Sequence, residues 1–183
     1  FHPTFKSVKP IRQELKIKTI FNILGPLVNP LSPPIMLIGV YDEKLLDPFA
    51  QALKNLGSKK ALVVHGSGLD EIALHGPTKA ILIDDKSLTN FTIDPKSLGL
   101  GCFGIEEIKG GHPEKNAVDF LEVLSGRSSM AKTSIVAAST GALLWLFEKA
   151  RNLEEGANMA KEALLSGSCL KTLKSVEGFT NGT

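Results

Sequence analysis

Apolar residues in the first half of the chain follow two kinds of spacing. A continuous apolar run over 35–41 predicts a central strand that is buried on both faces. Apolar residues then recur at helical spacing over 43–56, where Asp42 can cap the helix and Gly57 can end it. A second apolar run over 61–65 predicts the next strand. A strand, a helix and a strand joined by short connections predict a right-handed parallel crossover, the building unit of α/β proteins.

A hairpin is predicted further along the chain. The segments 79–83 and 88–93 both have strand character, and the polar residues 84–87 between them favour a tight turn. We expect this hairpin to form an antiparallel end of the sheet.

The remaining chain changes to helical spacing. Helices are predicted over 116–124, 130–150 and 153–165, and all three should pack on the sheet. The longest of them contains a patch of small residues over 137–142, which favours close packing against another helix. The pattern therefore predicts an α/β fold with a mixed, mainly parallel sheet flanked by helices.

Composition supports one domain and adds no special class. The chain has 183 residues, 43% apolar and 22% charged, which suits a single α/β domain with a sizeable core. A net charge of +2 gives no general attraction to nucleic acid, although the basic residues over 6–18 could bind an anion or form a solvated face. Cys102 and Cys169 are far apart and fit neither a disulfide framework nor a metal site, so we expect both to be reduced.

The sequence shows no sign of a membrane protein. No apolar run approaches the length of a membrane span, and no basic-then-apolar leader opens the chain, so we expect a cytoplasmic protein. The chain begins at Phe1 rather than at methionine, and we expect it to be a fragment.

An acidic pair follows the second predicted strand. Ligands of open parallel sheets bind at the carboxyl ends of strands, where residues 65–71 emerge. The glycines of this loop allow a close approach of the backbone, and Asp70 and Glu71 offer the hard oxygen ligands that Mg²⁺ takes together with a substrate phosphate. The alternative is that both acids occupy the first turn of a helix, where the helix dipole favours them.

A second candidate site precedes the first strand. Arg12 lies among lysines, and the chain then passes through residues that fix turns, including Gly25 and Pro26. Such an irregular, polar segment is typical of a binding site.

Several common motifs are absent or out of context. Gly99–Gly104 matches a dinucleotide-binding pattern by letter, but it follows no strand and we interpret it as a loop. His65, His75 and His112 lack metal-ligand spacing. There is no phosphate loop and no nucleophile elbow, so covalent hydrolysis has no support.

Several motifs together resemble those of anthranilate phosphoribosyltransferases. They run in order along nearly the whole chain: His2-Pro3, Arg12 with Glu14-Leu15, the string Thr19-Ile-Phe-Asn-Ile-Leu-Gly-Pro-Leu-Val-Asn-Pro30, Gly39-Val40-Tyr41, His65-Gly66 with Gly68-Leu69-Asp70-Glu71, Gly110-Gly111-His-Pro-Glu-Lys-Asn116-Ala, and Ser166-Gly167. The proline-ended string is long enough to be specific.

The resemblance implies a fold and a reaction. Members of this family have a nucleoside phosphorylase/phosphoribosyltransferase type of C-terminal α/β domain, form homodimers, and act in tryptophan biosynthesis. They transfer the phosphoribosyl group of phosphoribosyl pyrophosphate to the amine of anthranilate, with Mg²⁺ on the pyrophosphate. Asp70 and Glu71 match the family's acidic pair at magnesium. No membrane or nucleic-acid partner is implied.

The resemblance also assigns residues to the anthranilate site. Arg12 matches the arginine that engages the anthranilate carboxylate, a role that suits a planar guanidinium. His2 matches a histidine at the anthranilate entry, while Gly25 and Pro26 match the turn against the aromatic ring. No residue is assigned as a catalytic acid, base or nucleophile, because anthranilate already carries a neutral amine.

The family's N-terminal helical region and its glycine-rich phosphate loop have no counterpart in this chain. Residues 1–183 therefore correspond to part of one α/β catalytic domain, and we expect this part to be inactive alone.

Three alternatives stay open at this point. A pyrimidine nucleoside phosphorylase shares the fold and would be recognised by nucleoside phosphorolysis. A non-catalytic nucleic-acid-binding relative would be recognised by a steep salt dependence of its affinity. A remnant with no function of its own would be recognised by its intact mass.

Overall fold

A four-stranded mixed sheet forms the centre of the molecule. The computed structural model of the chain describes Glu14, residues 24–85 and residues 87–180. The strands are β1 (Ile35–Gly39), β2 (Lys60–Gly66), β3 (Thr78–Asp84) and β4 (Ser87–Ile93), in the order β1-β2-β3-β4. β1 pairs with β2 in parallel, and the other two pairs are antiparallel.

Helices cover both faces of this sheet. They are α1 (Leu24–Leu27), α2 (Leu46–Asn55), α3 (Ile105–Ile108), α4 (Pro113–Leu124), α5 (Met130–Leu146), α6 (Leu153–Leu165) and α7 (Ser168–Thr180), with short 3₁₀ helices at Glu43–Leu45 and Pro95–Leu98. The predicted α/β class is confirmed, as are the hairpin and the parallel crossover. In the described part of the sheet, however, antiparallel pairs outnumber the one parallel pair. None of the helices that the structure describes is both long enough and apolar enough to cross a membrane.

Both faces of β2 are buried, which explains its continuous apolar sequence. Leu62 and Val64 face the core shared with α4, α5 and α6. Ala61 and Val63 face a second core, which the apolar side of α2 completes. An apolar run without alternation is what a strand between two helical layers requires.

The prediction that the first strand is central is wrong within the described residues. β1 has β2 as its one strand neighbour and lies at an edge of the described sheet. Its residues nevertheless divide between the two cores, since Leu37 packs against the first and Ile38 belongs to the second. An apolar run reports the layers above and below a strand, and it carries no information about how many strands lie beside it.

Two of the helix boundaries that differ from the predictions have local causes. The segment predicted as one helix over 43–56 begins with a 3₁₀ turn, where the Asp42 carboxylate accepts a 3.0 Å hydrogen bond from the N–H of Lys44. Helix α5 stops short of the predicted range 130–150 because Glu148 adopts a left-handed φ of 58°. A Schellman motif ends the helix there. The left-handed position of this motif is usually occupied by glycine, and because it is a glutamate here, the sequence does not indicate that the helix ends.

Helix α7 was not predicted. It has no buried residue among those the structure describes, and Val176 and Phe179 are exposed, so its apolar spacing is weak. Cys102 and Cys169 both remain free thiols, as expected.

The small-residue patch of α5 is a site of direct backbone contact, which confirms its interpretation. A Cβ atom added to Gly141 would lie 2.3 Å from the backbone nitrogen of Ala157, and one added to Gly156 would lie 2.3 Å from the carbonyl oxygen of Gly141. Helices α5 and α6 therefore cross so closely that no side chain fits between them at these two glycines. This crossing holds the helical layer over the sheet.

Substituting Gly141→Ala should destabilise the protein by at least about 2 kcal/mol, because the added methyl group forces two packed helix backbones apart. The sign of the change in unfolding free energy is informative, because glycine to alanine at an exposed helical position normally stabilises a protein. Gly25→Ala is the matched control, because no atom of the described part of the chain lies within 4 Å of the position of its new Cβ atom. Urea unfolding of the complete protein measures both, and equal midpoints would contradict the proposed crossing.

Candidate functional site

A tight turn follows β2 and reverses the chain at the carboxyl edge of the sheet. The N–H of Gly66 donates to the carbonyl of Leu69 at 2.9 Å, and the N–H of Leu69 donates back to the carbonyl of Gly66 at 3.0 Å. Ser67 and Gly68 between them both have positive φ, 48° and 95°, as a type I′ turn requires. The turn directs Asp70 back over the ends of the strands.

The backbone of the acidic pair rests directly on two glycines at the strand ends. A Cβ atom on Gly39, the last residue of β1, would lie 1.6 Å from the carbonyl oxygen of Asp70. A Cβ atom on Gly66, the last residue of β2, would lie 2.2 Å from the carbonyl oxygen of Glu71. Neither position can carry a side chain while the loop keeps this path. The sequence signal was available, because a glycine inside or at the end of an apolar strand marks a close backbone approach.

Asp70 and Glu71 do not belong to a helix. They follow the turn, and the chain continues through an irregular segment to β3. The alternative that these acids occupy a helical first turn is therefore wrong, and the dipole explanation for their presence is removed.

A cleft of about 380 Å³ opens beside the acidic pair. Its lining residues come from the loop after β2, from α3 and the segment that follows it, and from α5: Leu69, Asp70, Glu71, Ile105, Glu106, Ile108, Lys109, Gly110 and Ile135. The lining combines charged groups with the apolar side chains of Ile105 and Ile135. The arrangement can accept a ligand with a charged end and a less polar body.

The charges in the cleft are mainly negative. Glu106 adds a third carboxylate, and Lys109 is the one cation among the lining residues that the structure describes; its Nζ lies 3.4 Å from Oε2 of Glu106. Neither residue was predicted from the sequence, where the preceding glycine-rich segment is interpreted as a loop only. No motif connects α3 with Asp70, so only the tertiary fold brings the two segments together.

The pKa of Glu71 is raised above its usual range. Burial of its carboxyl group is the larger cause, and the neighbouring negative charge of Asp70 adds to it. Glu71 as a whole is exposed, yet holding its partly desolvated carboxylate beside a second carboxylate is unfavourable for the folded state. A cation bound between them would remove that cost.

The residues present suit a magnesium ion that is shared with a phosphate. Among the residues that the structure describes, no three or more His, Cys, Asp or Glu side chains are arranged to hold a metal ion. Mg²⁺ in phosphate-handling sites typically takes one or two carboxylates from the protein and completes its coordination with phosphate oxygens and water. Asp70 and Glu71 can supply that share.

Gly25 and Pro26, the two other predicted site residues that the structure describes, are not among the residues lining this cleft. Gly25 and Pro26 belong to α1, and Pro26 lines a separate cavity of about 270 Å³ together with Pro34 and Lys59. Since Pro34 and Lys59 precede β1 and β2, that cavity lies at the amino ends of the strands. Arg12 and His2 lie outside the described residues, and their roles stay predictions.

Comparisons with known proteins agree with the motifs. Residues 1–170 match the model of the glycosyl transferase family, a/b domain. The chain is 49% identical over 181 residues to an anthranilate phosphoribosyltransferase of Colwellia psychrerythraea, covering 99% of this chain and 50% of that protein. It is 40% identical to the enzyme of that name from Pseudoalteromonas translucida, covering 100% of this chain and 51% of the relative.

Solved structures give the same result. An anthranilate phosphoribosyltransferase from Thermus thermophilus superposes with a TM-score of 0.86 at 36% identity, covering 96% of this chain and 52% of that one. The Saccharomyces cerevisiae protein, solved in complex with PRPP and Mg, superposes with a TM-score of 0.84 at 32% identity. The match covers 95% of this chain and 50% of the yeast chain. The resemblance seen in the motifs is confirmed, and the chain spans about half the length of the relatives it matches.

The ionisation of Glu71 makes a testable contribution to stability. Because its pKa is higher in the folded than in the unfolded protein, the folded state is favoured below the unfolded pKa, and this advantage is lost as pH rises through the folded pKa. Glu71→Gln should therefore be more stable than wild type at pH 7 without divalent cations, and the difference should shrink toward pH 4. Urea unfolding across this range measures it; an unchanged midpoint at pH 7 would contradict the assigned cost.

The glycine at the end of β1 provides a second test. Gly39→Ala should destabilise the protein by about 2 kcal/mol or more, because the loop backbone must leave its place on the strand. Gly104→Ala is the control: its φ is −68° and the nearest atom, Oε1 of Glu107, lies 3.5 Å from the added Cβ. The control should change stability by less than about 0.5 kcal/mol. Similar losses in both variants would mean that the close approach at Gly39 is not needed.

Proposed function

Because this chain belongs to the glycosyl transferase family through its a/b domain, we propose that the protein transfers the phosphoribosyl group of phosphoribosyl pyrophosphate to the amine of anthranilate. The observation that carries the proposal is the acidic pair Asp70–Glu71 at the carboxyl edge of the sheet, lining a cleft of about 380 Å³. Support comes from relatives bearing this activity's name, including one solved with PRPP and Mg.

The chemistry of the transfer fits the groups available. Breaking the bond between ribose C1 and the pyrophosphate oxygen leaves positive charge on the sugar and negative charge on the leaving group. Asp70 and Glu71 would hold a magnesium ion, which when bound neutralises the pyrophosphate. The side chains of the cleft orient the leaving group, and the Lys109 ammonium offers an additional cation to a phosphate oxygen.

No protein base is required for the attack on the sugar. The anthranilate amine is neutral at pH 7, so its lone pair can form the new bond to ribose C1 while the bond to pyrophosphate breaks; the nitrogen then loses its extra proton to water or to the released pyrophosphate. The protein then contributes mainly by holding two substrates in line, a contribution that can be large. This accounts for the lack of a nucleophile and base among the sequence motifs.

The anthranilate side of the reaction is assigned to Arg12, His2, Gly25 and Pro26. The Arg12 guanidinium would donate two parallel hydrogen bonds to the anthranilate carboxylate. This assignment rests on the matched motif alone, since in the structure Pro26 lines a cavity at the amino ends of the strands, apart from the cleft of the acidic pair. The expected cytoplasmic location and homodimeric assembly of the complete protein belong to the same proposal and rest on the family resemblance.

The first test is the loss of anthranilate fluorescence by the complete protein in the presence of phosphoribosyl pyrophosphate and Mg²⁺. Asp70→Asn and Glu71→Gln should each raise the Mg²⁺ concentration needed for half-maximal rate by about 10- to 100-fold, because each removes a carboxylate from the metal. Glu162→Gln, on the exposed side of α6, is the matched control and should behave as wild type.

A folded wild-type protein without turnover would overturn the proposal. Phosphorolysis of pyrimidine nucleosides, or salt-dependent binding of DNA or RNA, would then identify the alternative.

The arginine assignment has its own signature. Arg12→Ala should raise the anthranilate KM by about 10- to 100-fold, the range expected for losing a charge-assisted hydrogen bond of about 1.5–3 kcal/mol. Arg12→Lys should recover only part of this loss, because an ammonium group lacks the planar fork. Lys9→Ala removes a neighbouring cation and serves as the control. Equal effects of Arg12→Ala and Lys9→Ala would show a general electrostatic role and contradict the specific one.

A further inference from the structure

Two histidines contact the same peptide unit at the tip of the turn after β2. The N–H of Gly68 donates to Nε2 of His65 at 3.3 Å. The carbonyl oxygen of Ser67 lies 3.1 Å from Nε2 of His75. Since this carbonyl and this N–H belong to the single peptide group between Ser67 and Gly68, the group is held from both ends.

The partners of the two rings determine where their protons lie. Nδ1 of His65 is 2.8 Å from the carbonyl oxygen of Val40, which can only accept, so Nδ1 carries a proton. Its Nε2 accepts from Gly68 and must be unprotonated. His65 is therefore a neutral ring in the Nδ1–H form.

His75 has the opposite arrangement. Its Nε2 must donate, because the Ser67 carbonyl is an acceptor. Its Nδ1 is buried and has no hydrogen-bond partner among the residues that the structure describes, so a proton there would leave an unpaired charge on a buried atom. His75 is a neutral ring in the Nε2–H form, and the two histidines are complementary.

The turn needs such support because its geometry is strained. Ser67 is not a glycine, yet it adopts a left-handed φ of 48°. Its hydroxyl also donates a 2.8 Å hydrogen bond to the carbonyl of Pro77, on the far side of the loop. The same turn determines where Asp70 and Glu71 emerge, and their carbonyls are already in contact with the strand ends.

We propose that His65 and His75 are positioning residues, which clamp the peptide group between Ser67 and Gly68 and so fix the placement of the acidic pair Asp70–Glu71. His65 ties the turn to the end of β1 through Val40, and His75 ties it to the returning segment before β3. Neither ring is among the described residues that line the cleft beside the acidic pair. The kinetic part of this inference rests on the proposed function.

The kinetic test compares variants of His75 in the complete protein. His75→Leu removes the donor and should raise the Mg²⁺ requirement and the KM for phosphoribosyl pyrophosphate by about 10-fold, the lower end of the range for groups that orient metal ligands. The anthranilate KM should change less than about twofold. His75→Gln keeps an N–H donor at a similar reach and should restore most of the loss. His112→Leu, at the exposed start of α4, is the histidine control.

A double-mutant cycle tests whether the two rings act together. If both hold one peptide group, the effect of His65→Leu with His75→Leu should be clearly smaller than the product of the single effects. Simple multiplication of the two effects, an equal rise in both substrate KM values, or no rescue by His75→Gln would overturn the clamp.

Two readouts are independent of turnover. Imidazole nitrogen-15 shifts of the wild-type protein should show His65 as Nδ1–H and His75 as Nε2–H at neutral pH, and two rings in the same form would overturn the inference.

Titration with Mn²⁺ and inorganic pyrophosphate should show about 10-fold weaker binding in His75→Leu, with recovery in His75→Gln. If wild-type protein binds Mn²⁺ and pyrophosphate with these properties but transfers nothing to anthranilate, the proposed function fails while the clamp stands. If it turns over normally and the variants bind as wild type, only the clamp fails.

Discussion

Contact between bare backbone segments is the constraint on which this structure depends. It occurs where the acidic loop lies on the ends of β1 and β2, and again where α5 crosses α6. In the first case Gly39 and Gly66 leave room for the carbonyl oxygens of Asp70 and Glu71; in the second, Gly141 and Gly156 let two helices touch. The first contact sets the position of the candidate site, and the second fixes the helical layer that supplies one of its walls.

The charges of the cleft lower the stability of the folded protein. Two adjacent carboxylates, one of them with a raised pKa, line the cleft together with Glu106, and Lys109 is the one lysine among the described lining residues. Selection for stability alone would not favour like charges placed side by side, since each raises the cost of ionising the other. Groups with perturbed ionisation in a cleft are instead typical of functional sites, where a ligand supplies the missing counter-charge.

Much of the fold was predictable because its signals are local. Uninterrupted apolar runs identified β1 and β2, and helical spacing identified α2 and α6. The errors have physical causes: Glu148 takes a left-handed conformation normally left to glycine, α7 has too little buried surface to give a pattern, and the lateral position of β1 depends on neighbours that its own sequence does not describe.

The candidate site was predictable only in part, for related reasons. Asp70 and Glu71 were found because they follow a strand, where ligands of parallel sheets bind. Glu106 and Lys109 reach the same cleft through tertiary packing, which no motif encodes. The spacing of the histidines predicts no metal role for them, but their complementary protonation follows only from the positions of Val40, Ser67 and Gly68.

The contact at Gly39 also places the site in the order of folding. The loop that carries the acidic pair has no surface to rest on until β1 and β2 have formed their parallel pair, and parallel pairing requires a crossover to close first. A newly made chain therefore gathers its acidic groups over the strand ends only after its central sheet exists. The site therefore forms only when the core is complete. In a partly folded chain the carboxylates are far apart and do not form a cation site.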